Sequence, residues 1–310
     1  MEEPPQPVPT PSSNHNHCRP LGAFPPPIII PPLSPPHKHT IIFLHGRGSS
    51  AHKFHGPLLA APAPSQPLAA ALPHARFVFP TAPLMRARKY RRCAIHQWYE
   101  GTGDWEPESR GEMRPAAEHL RAVLRAEVAC LEGDARRVVL AGISQGCAMA
   151  LTSLLLWEGG TLGAVVGMCG YMPLASSLMA VFDGDSGGED GGVVFGAEVG
   201  SGPDDDIFER DPVQDARTPL ERAVDELREE VEMESLQTTR PFPFLSTPIF
   251  MGHGTADIKV EYQHGQHAAK LLDRMGMSVD FHTYPGLGHW YSPEMLGHIV
   301  EFLNRNLDTS

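Results

Sequence analysis

Apolar residues in this chain fall into short runs separated by Gly- and Pro-rich breaks, with longer stretches that repeat apolar positions every three to four residues. The runs at 40–44 (TIIFL), 76–79 (RFVF), 138–141 (VVLA), 163–168 (GAVVGM) and 248–251 (PIFM) are short and rich in β-branched and aromatic side chains, which predicts buried strands. Residues 278–284 alternate Val279, Phe281 and Thr283 as a further strand, and 28–30 (III) predict a short first one. Helical spacing covers 113–131, with Ala117, Leu120, Val123, Leu124, Val128 and Leu131 on one face. Helices are also expected after the glycine at 146, over 261–275 and over 293–307. Between 57 and 72, Pro62, Pro64 and Pro67 interrupt an Ala-rich stretch, so any helix there is short or broken. Residues 84–110 keep no period and are expected to be irregular. Strands alternating with helices predict an α/β chain, a mostly parallel sheet with helices on both faces in a single domain.

Two segments fall outside that pattern. Residues 1–26 carry eight prolines with Asn and His between them and read as a disordered tail. Residues 181–240 are rich in Gly, Asp and Glu and read as an acidic insertion with one amphipathic helix. That helix is announced by Thr218 as N-cap, Pro219 at the first position and Glu221 at the third, followed by an apolar stripe of Leu220, Val224, Leu227 and Val231. Its stripe suggests a lid, and the helix at 218–234 is expected to gate a pocket. The remaining body, 27–180 with 241–310, is the expected catalytic domain.

Charge and cysteines narrow the function classes. The net charge is −12, but 183–234 alone hold 18 acids and 4 arginines, so the rest of the chain is slightly basic. No basic patch with interleaved aromatics points to nucleic acid. A cluster at 86–92 (Arg86, Arg88, Lys89, Arg91, Arg92) reads as a solvated loop, with attraction to anionic lipid heads in a transient membrane-surface contact, or to an acidic partner, as the sharper alternative. Five widely spread cysteines form no metal-ligand spacing and suggest reduced thiols. The acidic, Pro-rich start is not a signal peptide, and no run is long enough to span a membrane; a cytoplasmic location is expected. His264 and His267 lie at i, i+3, but no third ligand accompanies them, so no metal and no cofactor is expected.

The chemistry concentrates at Gly142–Ile143–Ser144–Gln145–Gly146, between a buried strand and an apolar helix. Strand, G-x-S-x-G and helix is the context of a nucleophile elbow, with the serine at the tip of a tight turn. A serine hydroxyl needs a base and a group to orient that base. Of 16 histidines, His289 follows a strand in a Gly-Leu-Gly-His loop, and Asp257 follows another strand. Ser144, Asp257 and His289 come in the chain order of an α/β-hydrolase triad. The loop 45–50 (HGRGSS) lacks the Lys-Ser/Thr of a phosphate-binding loop and reads as an oxyanion loop, with the Arg47 and Gln145 backbone N–H groups as donors.

The blocks IIFLHGRGSS, FPTAP, AGISQGCAMAL, GYMPL, PIFMGHGTAD and YPGLGH, in this order, resemble the acyl-protein thioesterase (lysophospholipase-like) carboxylesterase family over about 28–180 and 245–307. The resemblance implies an α/β-hydrolase that cleaves thioesters of acylated protein cysteines or small carboxylic esters. It implies Ser144, Asp257 and His289 as triad and Arg47 and Gln145 as oxyanion donors. Trp98, Tyr171, Met172 and Trp290 are expected to line the substrate pocket. The chain departs from the family at Arg47, where Leu is common, at Cys147 in place of Gly, and at the bulky Trp290. It also departs in the length of 181–240. Acyl-protein thioesterase is the leading reading. A small-ester carboxylesterase without a protein substrate is the alternative, and a non-enzymatic interaction protein a distant third.

Overall fold

The computed structural model describes residues 21–63, 65–102, 106–184, 217–235 and 242–307. In chain order these form β1 (Ile28–Ile30), β2 (His39–Leu44), α1 (Ala51–Ala60), α2 (Leu68–Ala71), β3 (Ala75–Phe79), β4 (Leu84–Ala87), β5 (Cys93–His96), β6 (Gly101–Thr102) and β7 (Glu106–Pro107). Then follow α3 (Arg114–Cys130), β8 (Val138–Ile143), α4 (Gln145–Leu155), β9 (Ala164–Met168), α5 (Ala175–Gly184), α6 (Pro219–Glu230), β10 (Ile249–Gly254), α7 (Tyr262–Arg274), β11 (Val279–Tyr284) and α8 (Pro293–Leu307). Seven strands make one sheet in the order β1-β3-β2-β8-β9-β10-β11. Edge strand β1 runs antiparallel to β3; the other six are parallel.

Side-chain alternation divides the core in two. In β2, Ile42 and Leu44 join a core on one face, while Ile41 and Phe43 join a core on the other. β8 repeats this, with Val138 and Leu140 against Val139, Ala141 and Ile143. The first face is covered by α3 to α7, the second by α1, α2 and α8. Burial on both faces is why these strands are apolar throughout. α4 crosses the centre of the first layer with every residue buried.

The structure departs from the expectations at four places. Residues 84–96 are an antiparallel hairpin pairing Leu84 with His96 and Ala87 with Cys93, not irregular chain. Residues 21–26, assigned to the tail, pack onto the body: Gly22 N–H donates to Leu84 O, and Phe24 stacks on His119 at 4.1 Å. The rest of that tail, and 185–216 of the acidic segment, lie outside the described residues. Residues 175–184, for which no helix was anticipated, form α5, whose Leu178 is fully buried.

The fourth departure concerns α6, which begins with the anticipated capping box, Thr218 Oγ1 accepting from Glu221 N–H and the Glu221 carboxylate accepting from Thr218 N–H. It buries Ala223, Val224, Leu227 and Val231 in the first core. Arg228 pairs with Glu158 at 2.9 Å, and Gly111 N–H donates to Glu230 O. α6 is therefore a packed member of the helical layer and contributes no residue to the groove described below, contrary to the expected gate.

Candidate active site

The C-terminal ends of β2, β8, β9, β10 and β11 lie along one edge of the sheet, where ligands bind in open α/β folds. β8 ends at Ile143 and α4 starts at Gln145, leaving Ser144 alone to reverse the chain. Ser144 has φ 57° and ψ −126°, a region non-glycine residues avoid. Its two glycines have packing reasons. A Cβ on Gly142 would meet the Gly146 carbonyl, and one on Gly146 would meet the carbonyls of Leu44 and His45. The helix can thus start tight against β2, and Ser144 N–H is held by Met168 O at 2.9 Å.

The loop after β2 packs against this elbow. A Cβ on Gly46 would lie 3.2 Å from Ser144 Cβ. His45 is wholly buried and fixed at both ring nitrogens: Nδ1–H donates to Gly46 O (2.8 Å), and Nε2 accepts from Ala82 N–H (3.1 Å). Burial pushes its pKa down to about 4, so the ring is neutral. Trp98 Nε1–H donates to His45 O at 2.8 Å. The Gln145 side chain accepts from Trp98 N–H (3.0 Å) and donates to Tyr99 O (2.9 Å). As the first residue of α4, Gln145 carries one of the backbone N–H groups that the helix ladder leaves open. The Arg47 side chain turns into a buried set with Gln97 Oε1 (2.9 Å) and Glu100 Oε1 (3.1 Å), with the Tyr90 ring 5.5 Å away.

Asp257 sits in the turn after β10, its carboxylate fully buried and ringed by donors. Oδ1 accepts from Lys259 N–H (2.9 Å) and Val260 N–H (3.0 Å). Oδ2 accepts from His289 Nδ1–H (2.7 Å), with His253 Nε2 3.4 Å away. Burial alone would raise its pKa, but the hydrogen bonds from His253, His289, Val260 and Lys259 outweigh it and hold the carboxyl well below the usual carboxylate range. His289 lies in the loop between β11 and α8. Donation from Nδ1 leaves its Nε2 as the acceptor.

Ser144 and His289 line one groove of about 400 Å³, with Gly46, Arg47, Gln145, Phe54, Ile143, Tyr171, Val260 and Trp290 among its walls. In this resting geometry no hydrogen bond joins Ser144 to His289; such links commonly tighten on substrate binding. Of the four anticipated pocket residues, Tyr171 and Trp290 line the groove. Trp98 and Met172 do not: both are buried, Trp98 as a brace under the loop after β2 and Met172 in the first core. Tyr171 is also held by a 2.7 Å hydrogen bond between its hydroxyl and that of buried Tyr99. Cys147 fills the space that glycines leave open, since a Cβ on Gly170 would meet its Cβ and Sγ. Burial pushes its thiol up to about 12, which removes it as a nucleophile.

Sequence reasoning missed His253. It is fully buried, donates from Nε2 to Val260 O (2.9 Å), and rests on the bare Cα of Gly265 in α7. A histidine four residues before the acid, between two glycines, was the available signal.

Comparison with known proteins agrees with this architecture. A yeast acyl-protein thioesterase 1 (Debaryomyces hansenii) is 24% identical over 90% of this chain and 96% of its own. Carboxylesterase SOBER1 of Arabidopsis thaliana is 26% identical over 87% and 91%. The crystal structure of SOBER1 superposes with TM-score 0.58 at 24% identity, over 87% of this chain and 99% of that one. That of Zea mays acyl-protein thioesterase 2 gives 0.57 at 22%, over 91% and 98%. The phospholipase/carboxylesterase family matches residues 27–183 and 232–307, so the segment it skips contains all of α6. With that match over most of its length and the α/β-hydrolase sheet beneath it, the chain belongs to the phospholipase/carboxylesterase family and is a serine hydrolase of esters or thioesters.

Proposed function

We propose that Ser144, His289 and Asp257 form the catalytic triad and that the substrate is a long-chain acyl thioester on a protein cysteine. The observation that carries the reading is the 2.7 Å His289–Asp257 bond behind a groove that Ser144 and His289 share. Asp257 holds the imidazole with Nδ1 protonated, so Nε2 can take the Ser144 proton as Oγ attacks the acyl carbon. The tetrahedral oxyanion that forms is met by the backbone N–H groups of Gln145 and Arg47, each donor contributing roughly 3–4 kcal/mol in comparable sites. Protonated His289 then gives its proton to the leaving thiolate. Water, activated by the same nitrogen, releases the acid from Ser144.

The acyl arm is accommodated along Phe54, Ile143, Tyr171, Val260 and Trp290, the apolar and aromatic part of a groove wall that is otherwise polar. Relatives named as acyl-protein thioesterases support the thioester. A second reading, a carboxylesterase for small oxygen esters, is favoured by Trp290, a bulky ring on the groove wall directly after His289. The test compares acyl thioesters and oxygen esters across chain length, with Ser144→Ala alongside. The triad predicts that Ser144→Ala loses more than ~10³-fold in kcat with the fold retained, and loses fluorophosphonate labelling. Unchanged turnover in that variant would sink the triad; preference for short oxygen esters would replace the thioester with the second reading.

A further inference from the structure

The loop after β2 is tied at three points to one short stretch of chain, residues 96–100. Gly48 N–H donates to His96 O (2.7 Å), and Trp98 Nε1–H donates to His45 O (2.8 Å). The Arg47 side chain donates from Nε to Gln97 Oε1 (2.9 Å) and from a terminal nitrogen to Glu100 Oε1 (3.1 Å). The same stretch holds the start of α4: Gln145 Oε1 accepts from Trp98 N–H, and Gln145 Nε2–H donates to Tyr99 O. Residues 96–100 therefore grip both places from which an oxyanion would be met, the Arg47 and Gln145 backbone N–H groups.

Glu100 is the acid of that stretch, and its two oxygens close a ring of hydrogen bonds. Oε1 accepts from Arg47, and Oε2 accepts from Gln97 Nε2–H at 2.8 Å, which turns the Gln97 carbonyl oxygen toward Arg47 Nε. The Arg47 and Glu100 side chains are each only 9% exposed. In such surroundings a charge-assisted bond is strong and a guanidinium without its acid is costly, so the three side chains keep one arrangement. The loop needs that anchor. Arg47 stands between Gly46 and Gly48, the latter at φ 80°, so no neighbouring side chain fixes its peptide plane. A plane free to rotate carries its N–H off target, and a donor stabilises an oxyanion only where it already points.

We propose, on the triad and oxyanion roles assigned above, that Glu100 is a positioning residue for the hydrolysis: it locks the Arg47 side chain and thereby aims the Arg47 N–H at the oxyanion. Gln97 completes the lock. Neither Gln97 nor Glu100 lines the groove, so their effect falls on the transition state and leaves ground-state binding alone.

The test sets Glu100→Gln, which keeps the shape and removes the charge, beside Glu127→Gln. Glu127 is a similarly buried acid toward the opposite edge of the sheet, paired with Arg76 at 3.0 Å and accepting from Thr40 Oγ1 at 3.3 Å. Each variant is assayed on a soluble short-chain ester and titrated with a trifluoromethyl ketone. Ser144 Oγ adds to the ketone carbon, its proton passes to His289, and the ketone oxygen becomes an oxyanion. Glu100→Gln should lower kcat about 10- to 100-fold with KM within about twofold, because the donor is misaimed and not removed. Ketone affinity should fall by the same factor. Gln97→Leu, which leaves the ion pair in place, should show the same pattern at about 3- to 10-fold and serves where Glu100→Gln does not fold. Glu127→Gln should lower the urea midpoint yet leave kcat and ketone affinity within about twofold of wild type. Unchanged kcat and ketone affinity in Glu100→Gln overturn the proposal, as does an equal loss of kcat in Glu127→Gln, which would make destabilisation the cause. A raised KM with kcat unchanged also overturns it and moves Glu100 to substrate binding. A ketone that fails to inhibit the wild type overturns the oxyanion reading itself, and this role of Glu100 with it.

Discussion

At the scale of single residues, the elbow and the acid turn make separable demands. Gly146 has no room for a Cβ because the Leu44 and His45 carbonyls occupy its place and neither can move without opening the sheet. Gly146→Ala is expected to cost more than about 4 kcal/mol and to abolish soluble expression. Gly46 differs: its missing Cβ would be 3.2 Å from Ser144 Cβ, a contact that a small shift relieves. Gly46→Ala should fold and lose roughly tenfold in kcat, since it presses on Ser144, the proposed nucleophile. A Gly46→Ala protein that kept full kcat would mean the two loops are less tightly set than the distance implies. His253 acts through Asp257. His253→Phe removes one donor facing a buried carboxylate, and His253→Gln restores an N–H near the same place. The phenylalanine variant should lose about tenfold in kcat with KM unchanged, and the glutamine variant should recover most of it. The elbow, Asp257 and His289 were legible in the sequence because each is a local pattern at a strand end. His253 was not, because its value depends on Gly265, twelve residues on, being bare.

At the scale of elements, the loop after β2 is held by a neutral histidine, and that makes its stability depend on pH. His45 has a pKa of about 4 in the fold against 6.5 when exposed. Between those values the unfolded chain binds a proton that the folded chain does not, so stability falls as pH drops from 6.5 toward 4 and is flat in this contribution above 6.5. The shift corresponds to about 3 kcal/mol over the window. Urea midpoints measured across it should slope less steeply in His45→Gln, which cannot titrate; parallel slopes would remove His45 as the cause. α6 makes a complementary case. Leu227 is fully buried in the first core and lines no part of the groove. Leu227→Ala should therefore cost about 2–5 kcal/mol while leaving KM unchanged. A changed KM would restore the gating role that the packing argues against. The helix itself could be read from Thr218, Pro219 and Glu221, since capping is local. Its destination could not, because an apolar stripe fits a lid and a core equally well. The hairpin of β4 and β5 escaped for the opposite reason: its strands, Leu84–Ala87 and Cys93–His96, are four residues each and largely exposed or half-buried, too short to show the alternation that announces a strand, while their pairing is set by backbone bonds. Tyr171 and Met172 show the same limit at neighbouring positions, one in the groove and the other in the core.

At the scale of the molecule, the net charge of −12 misleads about the face that meets substrate. The acids are concentrated in 183–234, and the groove is lined by Arg47, Lys89 and Lys259 with no acid. Arg47 is balanced by Glu100, so Lys89 and Lys259 set the sign at the mouth. A substrate therefore meets a cationic mouth on a molecule that is anionic overall. Ionic strength should separate these two levels. A neutral short-chain ester responds to neither field, so its kcat/KM should stay within about twofold as salt rises from about 0.05 to 0.5 M, a range over which the Debye length falls to a few ångströms. The same acyl group on an anionic leaving group is drawn to the lysines. Its apparent KM should rise at least about threefold over that range, with kcat unchanged, because the local field supplies concentration and leaves the chemical step alone. Were the net charge in control, salt would screen a repulsion and the same KM would fall. A rise that Lys89→Gln/Lys259→Gln abolishes places the field at the mouth; a fall would mean that the acids of 183–234 set the charge that substrate meets.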